Sequence, residues 1–337
     1  MDSIFYVGSR NRILWNLIQM SNIPVAIPEY IIRLYDWIFF YKFVLPFPGH
    51  SLHTEQRYRP FFIIGSGRSG NTLLRRILYA HPNIHIPPET YALGQCIRAF
   101  RRYRMMPWQD LTYLILSKLE YYPEFGAFQI SLRPLAEQLL KAPKSNRSLA
   151  YILNSFYLYV AKSQGKEGAR WGDKTPLNTF YLDRILDVFP DAQFIHIIRD
   201  GCDVAVSYRQ AGIYKDIFSA ADRWVASVKA AKLFTKRHPQ SVIEIRYEDL
   251  VSQAEVTAKK VCDFLEIEFY ENMLESHSFV SEMGDVPLLK HHQQIMNPIS
   301  TSNIGKGRQL LTESEKHLLQ QKIGKYLSQL GYCPCEG

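Results

Sequence analysis

Two glycines five positions apart, Gly65 and Gly70, lie in a loop that follows an apolar run and opens a helical pattern. Glycine lets the backbone wrap closely around an anion, and the free amides and dipole of a helix start favour negative charge. The spacing is that of a P-loop, but Asn71 stands where that loop has the lysine that reaches the β- and γ-phosphates of a nucleoside triphosphate. The loop therefore predicts a 5′-phosphate site that is not an ATPase site; the alternative is a plain turn between strand and helix.

A second candidate anion site combines an arginine with a hydroxyl group. Arg199 directly follows the apolar run Gln193–Ile198, and Ser207 lies eight residues further on, about two turns into the next helical pattern. An arginine fork and a hydroxyl suit a phosphate, whereas the structural alternative for Arg199 is a salt bridge to Asp203. Asp200 is interpreted as the cap of that helix. Two phosphate sites at two strand ends indicate a ligand such as a nucleotide with a 5′- and a 3′-phosphate.

Short apolar runs predict the strands that position these motifs. Helical periodicity fills most of the intervals between them, for example over Leu177–Phe189 and Ile217–Arg237. Strands that alternate with helices predict an α/β fold, a parallel sheet flanked by helices, in which ligands bind beyond the carboxyl ends of the strands. The predicted strands are Phe61–Ile64, Ile84–Ile86, Gln193–Ile198 and Val242–Ile245.

The composition is that of a basic globular protein. The chain has 337 residues, of which 47% are hydrophobic and 21% charged, and these values exclude disordered, collagen-like and coiled-coil classes. Its 40 Lys+Arg against 32 Asp+Glu give a formal charge of +8, which favours an anionic partner: nucleic acid, a lipid surface or a phosphorylated small molecule. No run of five like charges occurs, so nucleic acid is not expected as a partner; the alternative is simply a basic surface.

Residues 1–58 are interpreted as an N-terminal helical extension, and residues 59–337 as a single domain with a helical insertion at about 91–165. Within the extension, Ile31–Pro46 predicts an amphipathic helix that packs on its own domain. We find no signal peptide and no stretch long and apolar enough to span a bilayer, so no transmembrane anchor is expected.

Cysteine and histidine usage predicts neither disulfides nor a metal site. The five cysteines are odd in number and lack a C-x-x-C pair, which favours reduced thiols in a cytoplasmic protein. Cys333 and Cys335 have no second pair of ligands, and His291 and His292 have no third ligand at a suitable spacing. No metal is therefore expected.

Taken together, the motifs resemble the sulfotransferase family that uses 3′-phosphoadenylyl sulfate as donor, and most closely its tyrosylprotein sulfotransferase branch. This resemblance implies a P-loop-like sulfotransferase fold. Asn71 departs from the branch, which usually has threonine there, and the chain shows no counterpart of the membrane anchor that Golgi members carry. The stretches that carry the resemblance are Arg68–Arg75, Ala80-His81-Pro82, Glu89-Thr90, Lys174-Thr175-Pro176, Ile197–Ser207 and Ile304–Arg308.

The resemblance also implies in-line transfer of a sulfuryl group to an oxygen or nitrogen of the acceptor, with positioning and cations supplying most of the catalysis. It implies Glu89 as the base, Lys174 as the acid or the electrostatic clamp on the bridging oxygen, and Arg68 as part of the cradle of the sulfuryl group. Asp173 is an alternative base, and a salt bridge to Lys174 or Arg170 is its structural alternative.

The acceptor is expected to be a small molecule with a hydroxyl or amine. Its walls are expected to come from residues 91–165 and 281–300, two stretches that contain no motif of the family. A P-loop-type kinase and a non-catalytic nucleotide-binding protein are the alternative functions. The oligomeric state has no signature in the sequence. The residues implied in donor binding are Gly67, Arg68, Ser69, Gly70, Asn71, Thr72, Arg199, Ser207, Tyr247, Lys306, Gly307 and Arg308.

Overall fold

Five short parallel strands form one sheet in the part of the chain that the computed structural model describes, which is residues 49–275, 283 and 297–335. The strands are β1 (Phe61–Ile64), β2 (Ile84–His85), β3 (Arg170–Asp173), β4 (Gln193–Ile198) and β5 (Val242–Arg246). Their order across the sheet is β2-β3-β1-β4-β5, and every neighbouring pair is parallel. The predicted α/β fold with a parallel sheet flanked by helices is confirmed.

Helices connect the strands and cover both faces of the sheet. The α-helices among the described residues are α1 (Asn71–Tyr79), α2 (Leu93–Tyr103), α3 (Trp108–Glu120), α4 (Arg133–Leu140), α5 (Leu149–Ser163), α6 (Leu182–Val188), α7 (Gly201–Gln210), α8 (Ile217–Arg237), α9 (Tyr247–Ser252), α10 (Ala254–Leu265), α11 (Lys306–Leu310) and α12 (Glu313–Gln329). Short 3₁₀ helices span Pro123–Phe128, Lys144–Asn146, Pro176–Phe180, Pro239–Ser241 and Glu271–Met273.

Side chains alternate between the two faces of the central strands, as the period of two in a strand requires. Phe62 and Phe194 belong to a core cluster with helices α2 to α6, whereas Phe61 and Ile195 belong to a second cluster with α1 and α10. Both faces are therefore buried, which explains why β1 is an unbroken apolar run and why, after Gln193, only His196 interrupts the apolar residues of β4.

Strand β3 is missing from the sequence prediction because Arg170-Trp171-Gly172-Asp173 contains no apolar run. Gly172 pairs in register with Phe61. The Phe61 ring fills the space that a side chain at position 172 would occupy, so only glycine fits there. The strand inserts between β2 and β1 and carries Lys174 at its carboxyl end, beside the loop that follows β1. The predicted helix Leu177–Phe189 is also corrected, because a 3₁₀ turn over Pro176–Phe180 precedes α6.

The N-terminal boundary is described only in part. Contacts divide the chain into Met1–Gly49 and His50–Gly337, and the predicted helix at Ile31–Pro46 lies outside the described residues. In the second unit, the amides of Leu149 and Ala150 donate to the carbonyls of Ser51 and Leu52 at 3.1 and 2.8 Å. The last residues of the predicted extension are thus bonded to helix α5. No helix within the described ranges has the length and apolar character needed to cross a membrane.

A disulfide joins Cys202 to Cys335, so the expectation that all five thiols are reduced is wrong. The pair is 133 residues apart in sequence, and only the return of the chain from α12 to the first turn of α7 brings the two cysteines together. Cys96 and Cys262 are free and buried, and Cys333 is free and exposed.

Substituting Gly172→Ala should destabilise the fold by about 1–3 kcal/mol, because the added methyl group meets the Phe61 ring in a fully packed layer. Urea unfolding measures the change. Gly126→Ala is the matched control, since a methyl group there meets nothing within 4 Å. Equal midpoints for the two variants would contradict the packing described for β3.

Candidate functional site

A cleft of about 770 Å³ lies at the carboxyl ends of the strands. Residues that follow three different strands line it: Glu89 after β2, Arg199 after β4 and Tyr247 after β5. Ser69, Lys174 and Arg308 are predicted site residues that do not line the cleft. The predicted residues that do are Gly67, Arg68, Gly70, Asn71, Thr72, Glu89, Arg199, Ser207, Tyr247, Lys306 and Gly307.

The loop between β1 and α1 forms a cradle with no room for further side chains. A Cβ on Gly70, which has φ +97°, would lie 2.5 Å from the Tyr247 ring, and one on Gly67 would lie 2.5 Å from the Tyr208 hydroxyl. Asn71 donates from Nδ2 to the carbonyl of Ser66 at 2.8 Å. Its side chain therefore stabilises the loop from within, whereas the lysine of a P-loop extends out of the loop to the phosphates. The loop therefore fits an anion held by backbone groups.

Arg68 and Ser207, which come from the two predicted anion motifs, are in direct contact. Arg68 Nε donates to Ser207 Oγ at 3.1 Å, and Arg199 Nη1 donates to the Arg68 carbonyl at 3.1 Å. Burial lowers the pKa of the Arg68 guanidinium, and the neighbouring charge of Arg199 lowers it further. Two buried cations at close range favour an anion between them, because it would relieve their mutual repulsion.

Arg199 is held from several sides. Its Nη2 donates to the carbonyl of Asn303 at 2.6 Å and to Asp203 Oδ2 at 3.3 Å, and its guanidinium carbon lies 4.3 Å from the centre of the Tyr247 ring. Its Nε is buried and has no hydrogen-bond partner among the described residues. The salt bridge to Asp203, the structural alternative for Arg199, is thus present, and it does not involve this Nε group.

The loop before α11 approaches the same region through its backbone. The amides of Gly305 and Gly307 donate to the two oxygens of Asp203 at 2.9 and 2.7 Å, and Lys306 lines the cleft. Arg308, expected to close over the donor, instead donates to Asp200 Oδ2 at 2.6 Å and to the carbonyls of Cys333 and Pro334. Arg308 therefore ties the C-terminal segment to α7.

Asp200 accepts a hydrogen bond from the amide of Cys202 at 2.8 Å, which confirms its predicted role as the cap of α7. Its second oxygen is the one that binds Arg308.

Glu89 and Lys174, the predicted base and acid, form an ion pair with each other: Lys174 Nζ donates to Glu89 Oε1. The side chain of Lys174 is only 1% exposed and that of Glu89 is 15% exposed. Glu89 thus presents its carboxylate to the cleft while Lys174 supports it from the protein side. Such a pair can hold or release a proton at an oxygen that faces the cleft.

Asp173, the alternative base, is buried and faces away from this pair. It accepts hydrogen bonds from the Tyr157 hydroxyl at 2.6 Å and from Asn178 Nδ2 at 2.8 Å. Burial raises its pKa. The salt bridge expected with Lys174 or Arg170 is wrong, because neutral donors satisfy both oxygens of the carboxylate. Asp173 therefore braces the end of β3 directly beside Lys174.

Three further side chains of the cleft were missed by sequence reasoning. Burial lowers the pKa of Arg76 to about 10; this arginine lies four residues after Thr72 on the same face of α1, a spacing that would have indicated it. Arg223, on α8, packs 4.3 Å from the centre of the Phe180 ring, and burial raises the pKa of the neighbouring Tyr208. No local pattern marks Arg223 or Tyr208, since only the packing of α7 and α8 brings them to the cleft.

No group of three metal-ligating side chains occurs in the described ranges. His291 and His292 lie outside the described residues.

Comparison with known proteins gives a consistent match. Residues 60–272 match the model of a family described as the sulfotransferase family. A putative protein-tyrosine sulfotransferase of Caenorhabditis briggsae is 22% identical over 278 residues, which cover 80% of this chain and 88% of the relative. An omega-hydroxy-beta-dihydromenaquinone-9 sulfotransferase of Mycobacterium bovis is 25% identical over 252 residues, which cover 63% of this chain and 64% of the relative.

Among solved structures, the sulfotransferase domain of an olefin synthase from Synechococcus PCC 7002 superposes with a TM-score of 0.58 at 22% identity. The match covers 83% of this chain and 97% of that domain. At this level of identity the likeness shows the fold.

Substituting Tyr157→Phe should cost about 1–3 kcal/mol of unfolding free energy, because it removes a donor from the buried Asp173 carboxylate. Tyr159→Phe is the matched control on the same helix; its hydroxyl donates to a carbonyl at 3.3 Å in exposed surroundings, so a loss below about 0.5 kcal/mol is expected. Chemical denaturation compares the two. A Tyr157 variant as stable as the control would show that Asp173 does not depend on this bond.

Proposed function

The chain belongs to the sulfotransferase family, and from this premise we propose that it transfers a sulfuryl group from 3′-phosphoadenylyl sulfate to a hydroxyl or amine of a small-molecule acceptor. One observation carries the proposal: the contact of Arg68 with Ser207 unites two anion motifs from distant parts of the chain in the cleft that Glu89 also lines. A bisphosphorylated nucleotide matches such a pair of neighbouring sites.

The donor phosphates would be bound by groups that still have hydrogen-bonding capacity. Ser207 accepts from Arg68, so its own O–H can donate to a phosphate oxygen, and Arg199 lines the same cleft. Lys306 adds a cation from the opposite loop. Hydrogen bonds between charged groups are about twice as strong as neutral ones, so this set favours phosphate over neutral ligands.

The acid–base step follows from the ion pair. Glu89 accepts the proton of the acceptor while a bond forms between sulfur and the acceptor atom, and the bond between sulfur and the bridging phosphate oxygen breaks. A protonated Glu89 binds the Lys174 ammonium less strongly, and the buried cation behind Glu89 then favours the negative charge that develops in the cleft. Base catalysis of this kind contributes roughly 10²–10⁴-fold in rate.

The acceptor is assigned to small molecules on the size and lining of the cleft. A volume of about 770 Å³ lies within the range of small-ligand pockets, and Tyr91, Pro176 and Leu177 line it together with Glu89. The relatives act on different acceptors by their names, a protein tyrosine and a hydroxylated menaquinone. Transfer of labelled sulfate to alcohols, phenols and amines, with a tyrosine-containing peptide in the same screen, tests this assignment.

A cytoplasmic location belongs to the proposal and rests on the cysteine usage of the sequence. The Cys202–Cys335 disulfide weighs against it, because disulfides are rare in that compartment.

A kinase would hydrolyse or transfer phosphate from ATP with magnesium, whereas a non-catalytic protein would bind the nucleotide without turnover. The side-chain amide of Asn71 donates to the loop itself and so does not replace the phosphate-binding lysine of a P-loop, which disfavours the kinase. Turnover of ATP in place of the sulfated donor would overturn the proposed function.

Glu89→Ala and Lys174→Ala should each lower the transfer rate by about 10²-fold or more and leave the affinity for adenosine 3′,5′-bisphosphate near that of the unmodified chain, because neither residue belongs to the phosphate cradle. A sulfate-transfer assay measures the rate, and calorimetric titration measures the affinity for the nucleotide. Glu124→Ala, an exposed glutamate, is the control. Full activity of the Glu89 variant would remove this residue from the mechanism.

Arg199→Ala should weaken the binding of adenosine 3′,5′-bisphosphate by about 2–5 kcal/mol, because one partner of a buried charge pair is lost. Calorimetric titration measures the dissociation constant. Arg237→Ala, which removes an exposed arginine paired with Asp183, should leave it unchanged. Unaltered affinity in the Arg199 variant would show that the phosphate lies elsewhere.

A further inference from the structure

Asp203 is a carboxylate whose side chain is 0% exposed, although it lies one turn from the residues proposed to bind phosphate. Its Oδ1 accepts from the amide of Gly307 at 2.7 Å. Its Oδ2 accepts from the amide of Gly305 at 2.9 Å and from Arg199 Nη2 at 3.3 Å. One side chain therefore joins the arginine that follows β4 to a loop about a hundred residues further along the chain.

The loop approaches α7 as closely as a backbone can. A Cβ on Gly307 would lie 2.6 Å from the Asp203 Cα and 2.7 Å from the carbonyl oxygen of Cys202. Gly305, with φ +71°, precedes α11 and offers no side-chain cap to it. Asp203 thus caps α11 from another helix and stabilises the first turn that contains Lys306.

We propose that Asp203 is a positioning residue for the donor: it holds Arg199 and the Lys306 loop at one fixed separation, so that both cations meet the same phosphate. This inference rests on the proposed function. Asp203 acts through Arg199 and the backbone of Gly305 and Gly307, whose N–H groups occupy both of its carboxylate oxygens.

Charge alone leads to the opposite expectation, and this makes the proposal testable. A carboxylate beside an anion site repels the anion, so its neutralisation should tighten nucleotide binding. If positioning dominates, the neutral variant instead binds the nucleotide more weakly, because Arg199 and the loop lose their common anchor. The sign of the change in affinity separates the two effects.

The experiment is calorimetric titration of adenosine 3′,5′-bisphosphate into the full chain and its Asp203→Asn variant. We expect an affinity lowered about tenfold, the loss of one charge-assisted hydrogen bond, with a raised KM for the donor and an unchanged KM for the acceptor. Hydrogen exchange at the amides of Gly305 and Gly307 should become faster. Asp222→Asn, which removes an exposed carboxylate paired with Lys322, is the control and should alter none of these.

Equal or tighter binding by the Asp203→Asn variant overturns the inference while leaving the proposed function intact. Absence of binding by the unmodified chain overturns the proposed function, and the inference with it. Should the Asp203 variant fail to fold, Gly307→Ala displaces the loop from the other side and is expected to weaken the nucleotide in the same way. Unchanged affinity in that variant also counts against the inference.

Discussion

The mutual repulsion of two arginine cations, Arg68 and Arg199, is the constraint on which the rest of the site depends. The Arg199 guanidinium donates to the backbone carbonyl of Arg68, and the Arg68 side chain donates to Ser207, so both residues belong to the lining of one cleft. Like charges this close repel unless the protein surrounds them with acceptors. Asp203 and the carbonyl of Asn303 supply part of that compensation. Both arginines also line the cleft, and the proposed function assigns them to a phosphate of the donor.

The second charged pair, Glu89 with Lys174, depends on a different kind of support. Lys174 directly follows Asp173, the last residue of β3, and Asp173 accepts a hydrogen bond from the Tyr157 hydroxyl. The Tyr157 ring in turn stacks on the Trp171 ring, with the ring centres 3.9 Å apart. Aromatic packing therefore fixes the strand end, and the strand end fixes the ammonium. The proposed phosphate cradle consists of backbone groups and glycines, whereas the proposed acid–base pair lies at the end of a strand in the packed core. The two groups of residues thus depend on different parts of the same sheet for their positions.

Local patterns predicted the parallel sheet, the glycine loop and the arginine after β4, because each signal is contained in a strand and the loop that follows it, whereas Glu89 was predicted from the family resemblance. What depends on distant packing was not predictable. Strand β3 has no apolar run, since Gly172 leaves its place to the Phe61 ring. The disulfide of Cys202 and the outward turn of Arg308 depend on where the C-terminal segment returns, which no spacing in the sequence records.

Strand register has a consequence for ligand choice. β1 and β4 are direct neighbours, with Phe61 opposite Gln193 and Ile64 opposite His196, and β4 continues two residues beyond that last pairing, to Ile198. Adjacent strands lie about 4.8 Å apart, and this spacing is a property of the backbone that side-chain rotamers do not alter. The sheet therefore fixes the lateral spacing between the loop that follows β1 and the loop that follows β4. A ligand with two anionic groups would have to match this spacing, whatever base or ring it carries.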